Sequence, residues 1–398
     1  MYFIYCRLFQ KVMKLVSNVL PWRKPQLIQG QESLLKLPKQ IKLCHIDCVL
    51  IVTDQGIILA GLLTPLLQQM NQSGIKYVTY DKTVPNPTIN NIEEALKLYH
   101  ENKCSGIVSI GGGSAMDCAK GVAARVARPK KSITKMKGLL KVRKKTPTLF
   151  AVPTTSGTGS EATLAAVIVD SNTHEKYAMN DFSLIPSYAV LDPCITQKLP
   201  PQITAQTGMD ALTHAIEAYI GHSNTKETKK HSEMAVKLIF ENIFEAYSNG
   251  DNLIARENMQ NAAYLAGLAF TRAYVGNIHS IAHTLGGFYS TPHGLANAVI
   301  MPYVLEYYGS KVYKPLSKLS KLVGLSKEDD DKNNAQVFIN EIKNLNRKMG
   351  IPDKITGIDV KDIPVMAERA YKEANPLYPV PVILNKTKLY YIYQLIKE

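Results

Sequence analysis

Three histidines, His279, His283 and His293, fall within Gly276 to Gly294, GNIHSIAHTLGGFYSTPHG, a stretch with several glycines and no lysine or arginine. Upstream, TGMDALTHAIEAY sets Asp210 and His214 four residues apart. On a helix of 3.6 residues per turn that spacing puts both side chains on one face, about one turn apart. A single histidine on an apolar helix is ordinarily a satisfied core residue. One carboxylate and four imidazoles in two short, weakly charged motifs are a different matter, because packing has no use for them and a divalent metal does. Spacing alone pairs His279 with His283 as an HxxxH ligand set.

The elements that must position these groups come in two kinds. From about Lys42 short β-branched runs alternate with helical stretches. CVLIVTD (Cys48 to Asp54) reads as a buried strand, followed by a helix around Gly56 to Met70. KYVTYD, GIVSI and TLFAVPTT read as further strands, with a helix over Asn90 to Asn102. Such alternation predicts right-handed βαβ units and a doubly wound, mostly parallel sheet. After about Pro200 helical periodicity dominates to the C-terminus. The expected organisation is an N-terminal arm over 1–30, an α/β domain over 31–200, and an all-α domain carrying the Asp/His motifs over 201–398.

The run Gly111-Gly112-Gly113-Ser114 stands where a strand ends and a helix begins, so backbone N–H groups and the helix dipole are set to receive a phosphate pair. Ser114 and Asp117 also form an S-x-x-D capping pattern, which gives Asp117 a structural role. Asp54, at the end of the first predicted strand, is where a nucleotide-binding sheet places a carboxylate on a ribose diol; there it would repel a 2′-phosphate and favour NAD over NADP. The plainer reading of Asp54 is a turn aspartate before Gly56.

Composition narrows the class. At 398 residues the chain exceeds one ordinary core, and 45% hydrophobic with 20% charged residues is a normal folded composition. Six cysteines lie scattered without CxxC spacing, several in apolar runs, which fits reduced thiols and a cytoplasmic setting. The formal charge of +14 would suit nucleic acid, an anionic membrane or anionic small molecules. Much of the excess sits between Arg125 and Lys145, without the interleaved aromatics that stack bases. That span reads as a solvated connection, and no nucleic-acid partner is expected.

The N-terminus, MYFIYCRLFQKVMKLVSNVLPW, is apolar but interrupted by Arg7, Lys11 and Lys14, so no bilayer-spanning helix is expected. It also lacks the order of a signal peptide. At helical spacing Phe3, Ile4, Leu8, Val12, Leu15, Val16 and Val19 share a broad face. The arm then packs on the body or on a partner subunit, or it makes a weak membrane-surface contact.

Over nearly its full length the chain resembles the iron-containing (group III) alcohol dehydrogenases. The motifs are VPNPT (Val84 to Thr88), IGGGSAMDCAK (Ile110 to Lys120), PTTSGTGSEAT (Pro153 to Thr163), LDPCITQKLPP (Leu191 to Pro201), TGMDALTHAIEAY (Thr207 to Tyr219) and HSIAHTLGGFYSTPHGLANAVIMP (His279 to Pro302). The resemblance implies a dinucleotide-binding domain, a helical domain, a cleft between them in which a nicotinamide faces a divalent metal, and a homodimer. It makes Asp210, His214, His279 and His293 the metal ligands and places His283 beside the cofactor rather than on the metal, as a candidate proton relay. It assigns Asp54, Asn86, Gly112, Gly113, Ser114, Thr154, Thr155 and Lys176 to NAD. The metal is Fe2+, with Zn2+ compatible with the same donors.

The implied reaction passes hydride between a primary aliphatic alcohol of short or medium chain and NAD, reversibly, with the metal lowering the hydroxyl pKa; water bound to zinc falls from about 15.7 to about 7. ANPLYPVPV (Ala374 to Val382) departs from the TGTNPR-type ending of many relatives, and if it borders the cleft it favours unbranched alcohols over polyols. A lactaldehyde, glycerol or propanediol oxidoreductase is the alternative within the family, and a membrane-associated scaffold the alternative outside it.

Overall fold

The computed structural model describes residues 1–20, 22–171 and 175–398. The chain opens with helix α1 (Tyr2–Val19) and divides into two compact units. One is Trp22–Leu199; the other is the N-terminal helix together with Pro200–Glu398.

The first unit runs β1 (Gln26–Gln29), α2 (Leu37–Leu43), β2 (Cys48–Val52), α3 (Gln55–Leu59), α4 (Thr64–Gln72), β3 (Lys76–Tyr80), α5 (Ile89–Glu101), β4 (Gly106–Gly111), α6 (Gly113–Ala127), β5 (Gly138–Leu139), β6 (Thr148–Pro153), β7 (Ala165–Val169), β8 (Lys176–Asn180) and β9 (Tyr188–Leu191). Among the described residues, six strands form a wholly parallel sheet in the order β1-β9-β6-β4-β2-β3. Its central strands are continuous apolar runs because both faces are covered. Leu50, Val52 and Ile107 pack with Ile92, Ala95, Cys118 and Val122 of α5 and α6. Val49, Ile51, Val108 and Ile110 pack on the other side with Leu37, Ile41, Leu66 and Met70 of α2 and α4. The sheet is therefore doubly wound. Strand order reverses between β2 and β4, and the crevice beyond the carboxyl ends of strands at such a switch point is where open α/β sheets bind ligands.

The structure departs from the sequence expectation in three places here. The helix expected over Gly56 to Met70 is two, α3 and α4, broken near Gly61, whose φ is +71°. A second, three-stranded sheet of order β5-β8-β7 forms beside α6, with β7 and β8 antiparallel. The basic span after α6 is anchored rather than merely solvated. Ile133, Met136 and Val142 are buried, Arg128 donates to the Val142 carbonyl at 2.5 Å, and Asp181 accepts from the Val142 and Arg143 amides. Most of its lysines do point outward.

The second unit continues with α7 (Pro201–Ile220), α8 (Lys226–Ser248), α9 (Leu253–Ala273), α10 (Asn277–Tyr289), α11 (His293–Tyr308), α12 (Tyr313–Leu322), α13 (Asp331–Lys348), α14 (Ile363–Ala374) and α15 (Lys386–Ile396). From Gly208 to Ile220 every residue of α7 is buried. A helix apolar and buried all round is a central one, and α7 packs with α8, α9 and α11 through Met209, Leu212, Ile216, Ile239, Met259 and Val299. No described helix is long and apolar enough to cross a membrane.

Candidate metal and cofactor sites

Asp210 and His214 project from the buried length of α7, His279 from the first turn of α10, and His293 is the first residue of α11. Among the described residues, these four bring one ligand atom each to within 4.8 Å of one another. Oδ1 of Asp210 lies 3.9 Å from Nε2 of His279 and 3.5 Å from Nε2 of His293, and Oδ2 lies 4.0 Å from Nδ1 of His214. The approach of α11 to α7 depends on Gly294. A Cβ there would stand 2.3 Å from the Gln206 carbonyl oxygen, so any larger residue would push His293 away from Asp210.

Two residues that the spacing argument did not single out hold this group together. Glu217, one turn beyond His214 on α7, is buried, and its Oε2 accepts from Nδ1 of His279 at 2.7 Å and from the Gly276 amide at 2.7 Å. Its Oε1 accepts from the Ile278 amide at 2.8 Å. Gly276 has no side chain with which to cap α10, so a carboxylate from another helix satisfies the first-turn donors. With the proton of His279 fixed on Nδ1, the Nε2 lone pair faces Asp210. The signal is in DALTHAIE (Asp210 to Glu217): Asp210, His214 and Glu217 stand at i, i+4 and i+7, which is one face of a helix. Asn297, one turn after His293, donates through Nδ2 to Oδ1 of Asp210 at 2.7 Å.

Electrostatics follow the geometry. Burial by itself would raise the Asp210 carboxyl, but His214, His293, His279 and the Asn297 amide outweigh it and hold it below the usual carboxylate range. Burial would lower His279, yet Glu217 and Asp210 raise it.

His283 stands outside the four-atom group. It lies one turn after His279, and its ring is stacked on that of His293, 5.2 Å between centroids and 14° apart in plane. Its Nδ1 donates to Oε1 of Glu373 on α14 at 2.6 Å, and the Tyr378 hydroxyl donates to the same oxygen at 2.9 Å. No local pattern marks Glu373, which lies 90 residues away in sequence. Of the Ala374 to Val382 segment, Tyr378 reaches this site. The carbonyls of Pro376, Tyr378, Val380 and Pro381 accept instead from Gln10 and Arg7 of α1.

In the α/β unit the residues expected at the cofactor gather beyond the carboxyl ends of β2, β4 and β6. Gly112 caps α6, and Gly113 and Ser114 form its first turn. The Thr154 amide donates to the Gly111 carbonyl at 3.0 Å, and Thr155 lies against Gly112. A Cβ on Gly113 would stand 2.8 Å from Cγ2 of Thr158, so the two loops pack together only without a side chain there. Asn86 has φ +56°; its amide donates to Oγ of Ser114 at 3.2 Å, and its Oδ1 accepts from Nζ of Lys176 at 2.7 Å. Those three residues, far apart in sequence, meet at the start of α6.

Asp54 takes the plainer role as well as the expected place. Its Oδ1 accepts from the Ile57 amide at 3.1 Å and caps α3, while Oδ2 lies 3.4 Å from where a Cβ on Gly111 would be. Asp117 is structural, but not as the cap of Ser114 that its spacing suggested. Its carboxylate accepts from Oγ of Ser160 at 3.1 Å and from the Val167 amide at 3.2 Å, tying α6 to the loop after β6 and to β7. Beside it lies Lys120, fully buried, whose ammonium donates to the Ser160, Thr163 and Ala165 carbonyls and to the Ser160 and Thr163 hydroxyls within 3.0 Å.

Comparison with known proteins gives the family. Residues 24–193 match the model of the iron-containing alcohol dehydrogenases, and residues 204–396 match that family's C-terminal domain. The chain is 38% identical over 349 residues to alcohol dehydrogenase 4 of Saccharomyces cerevisiae, covering 87% of this chain and 90% of that protein. It is 33% identical over 352 residues to the NAD-dependent methanol dehydrogenase of Bacillus methanolicus, covering 88% and 92%. The crystal structure of a 1,3-propanediol oxidoreductase superposes with a TM-score of 0.90 at 32% identity, over 94% of this chain and 99% of that one. With both units matched in sequence and in fold, the chain belongs to the iron-containing alcohol dehydrogenase family.

Proposed function

We propose that the protein is an NAD-dependent oxidoreductase that interconverts short- or medium-chain primary aliphatic alcohols and their aldehydes at a divalent metal. The observation that carries this reading is the grouping of Asp210, His214, His279 and His293 within 4.8 Å. The donor chemistry fits such an ion: three imidazole nitrogens and one ionised carboxylate, with the proton of His279 held away on Nδ1 by Glu217. The set suits Fe2+ or Zn2+. Family membership favours iron, which accepts a fifth or sixth ligand and so leaves room for a substrate oxygen. NAD is supported by Asp54 and by the NAD dependence named for the Bacillus methanolicus relative.

When bound, the metal supplies Lewis acidity toward an alcohol oxygen and NAD supplies the hydride acceptor. The rest of the work belongs to the chain. Gly112, Gly113 and Ser114 offer backbone N–H groups at the start of α6 to a pyrophosphate, Thr154 and Thr155 support that loop, and Lys176 with Asn86 flanks it. Asp54, with Oδ1 taken by the Ile57 amide, would hold the ribose of bound NAD through its remaining acceptor capacity. His283, its Nδ1 fixed on Glu373, receives the hydroxyl proton at Nε2 and passes it toward solvent.

The test is metal analysis of protein purified without oxygen, coupled to NAD reduction with butanol. Near-stoichiometric iron and metal-dependent turnover are expected. Metal-free protein that still turns over, or loaded protein inert toward every alcohol in a panel of ethanol, butanol, 1,3-propanediol, glycerol and lactaldehyde, would overturn the reading. Preference for the diols within that panel would move the substrate class toward that named for the superposing oxidoreductase.

A further inference from the structure

α1 is amphipathic in the reverse of the usual sense. Its polar residues face the helical unit. Gln10 and Ser17 are buried, Arg7 donates to the Val380 and Pro381 carbonyls at 2.6 and 2.9 Å, and Lys14 donates to the His222 carbonyl at 2.8 Å. Its apolar residues face out. Ile4 is 74% exposed, Leu8 61%, Val12 50%, Leu15 68% and Val19 83%. Positions 4, 8, 12, 15 and 19 follow helical spacing and form a single stripe, which Tyr5 and Val16 broaden on one side. The hydrogen bonds from the opposite face fix the helix in this orientation, so the stripe cannot turn inward without breaking them.

Charge beside the stripe is mainly positive. The first 31 residues contain no aspartate or glutamate, and Arg7, Lys11 and Lys14 lie on α1 itself. Exposed Lys11 borders the stripe directly. At its carboxyl end Asn18 accepts from Arg272, which also pairs with Glu227 in the first turn of α8, where Lys226, Lys229 and Lys230 are exposed. At its amino end the Tyr2 ring meets Tyr371, over which Lys386 lies. Glu227 and Glu368, acids near these two ends, are each ion-paired.

We infer that α1 is a monotopic anchor that lays its outward stripe into an anionic bilayer surface. An 18-residue helix is about 27 Å long and lies flat, and its apolar arc is wider than the narrow seam that zips two helices together. Docking a second copy would bring two acid-free, basic segments against each other, whereas an anionic leaflet neutralises them. Exposed Tyr2, Phe3 and Tyr5 suit the headgroup level. The stripe therefore has a partner that matches it in shape, polarity and charge.

The test is flotation of the full-length protein with phosphatidylcholine vesicles, with and without about one third phosphatidylserine, at about 0.05 and about 0.5 M salt. Binding is expected on the anionic vesicles at low salt and should fall at high salt and on neutral lipid. Leu8→Glu with Leu15→Glu should weaken it at least tenfold while alcohol oxidation and the melting temperature are unchanged, and Lys11→Gln should weaken it about fivefold. No flotation with anionic vesicles, or equal flotation of the double variant, overturns the anchor. If the wild type does not float and sedimentation instead reveals a dimer that the double variant loses, the stripe is an interface between copies of the chain.

Discussion

Oε2 of Glu217 lies 2.7 Å from Nδ1 of His279 and 2.7 Å from the Gly276 amide, so one carboxylate both caps α10 and sets the tautomer of a candidate metal ligand carried in that helix's first turn. The two effects can be separated. Glu217→Gln keeps one oxygen acceptor for an amide but loses the charge that holds the imidazole proton, and partners of this kind typically contribute 10- to 100-fold in metal affinity. Competition against a chelator should register a loss of about that size. An unchanged affinity with a lowered melting temperature would make Glu217 a helix cap alone.

His279→Ala and His283→Ala should behave differently although both residues lie on α10. His279 belongs to the group within 4.8 Å, and His283 does not. The first variant should lose metal and activity while far-UV circular dichroism remains helical, because the helical unit has its own apolar core around Met209, Leu212 and Ile216 of α7. The second should retain metal and lose about 100-fold or more in turnover, within the usual range for a proton-transfer residue. Loss of metal from His283→Ala would move that residue into the coordination sphere.

Most of the candidate site was legible in the sequence because its residues are grouped locally. Asp210 with His214 and the glycine run after β4 are each written within a dozen residues, where helical spacing and strand-to-helix punctuation are legible. What could not be read is what topology supplies. Strands β1 and β9 are only four residues each, and β9 becomes a strand by pairing with β6 and β1, which no local pattern announces. No local pattern singles out Lys176, and only the fold brings it to Asn86. The burial of Lys120 runs against composition, since lysine is rarely inside unless its charge is met. The orientation of α1 was misleading for the opposite reason: its periodicity is strong, but periodicity does not say which side faces the protein.

The role of Asp54 leads to a sharper test of cofactor preference than removing its side chain. Because Oδ1 caps α3, Asp54→Gly changes a helix terminus as well as a charge. Asp54→Asn preserves the cap, asparagine being as good there as aspartate, and removes the charge that would repel a 2′-phosphate. The wild type should prefer NAD, and Asp54→Asn should narrow the NAD to NADP ratio in kcat/KM by about tenfold or more, the size of about 1–3 kcal/mol. An unchanged ratio would leave Asp54 a capping residue and remove it from the cofactor.

Glu161 gives the α/β unit a pH dependence whose sign can be worked out. Burial pushes its carboxyl up to about 7 from an ordinary 4.5, although its own backbone amide and Lys120 pull the other way. Lys120, held by five oxygen acceptors, is itself lowered by burial to about 8 and remains charged at neutral pH. For a carboxyl raised in the folded state, the native protein binds more protons than the unfolded chain between the two values, so stability is greatest below about 4.5 and declines as pH rises through about 7. Glu161→Gln removes that dependence while nearly conserving shape. Near pH 4.5 the variant and the wild type should unfold at similar denaturant concentrations; by pH 8 the variant should be the more stable by about 2–4 kcal/mol, since each tenfold change in proton affinity between the folded and unfolded chain is worth about 1.4 kcal/mol. Urea titrations of both proteins at pH 4.5, 6 and 8, monitored by circular dichroism, give the comparison directly. A stability difference that is flat with pH would mean that Glu161 is ionised throughout and that Lys120 compensates its charge fully.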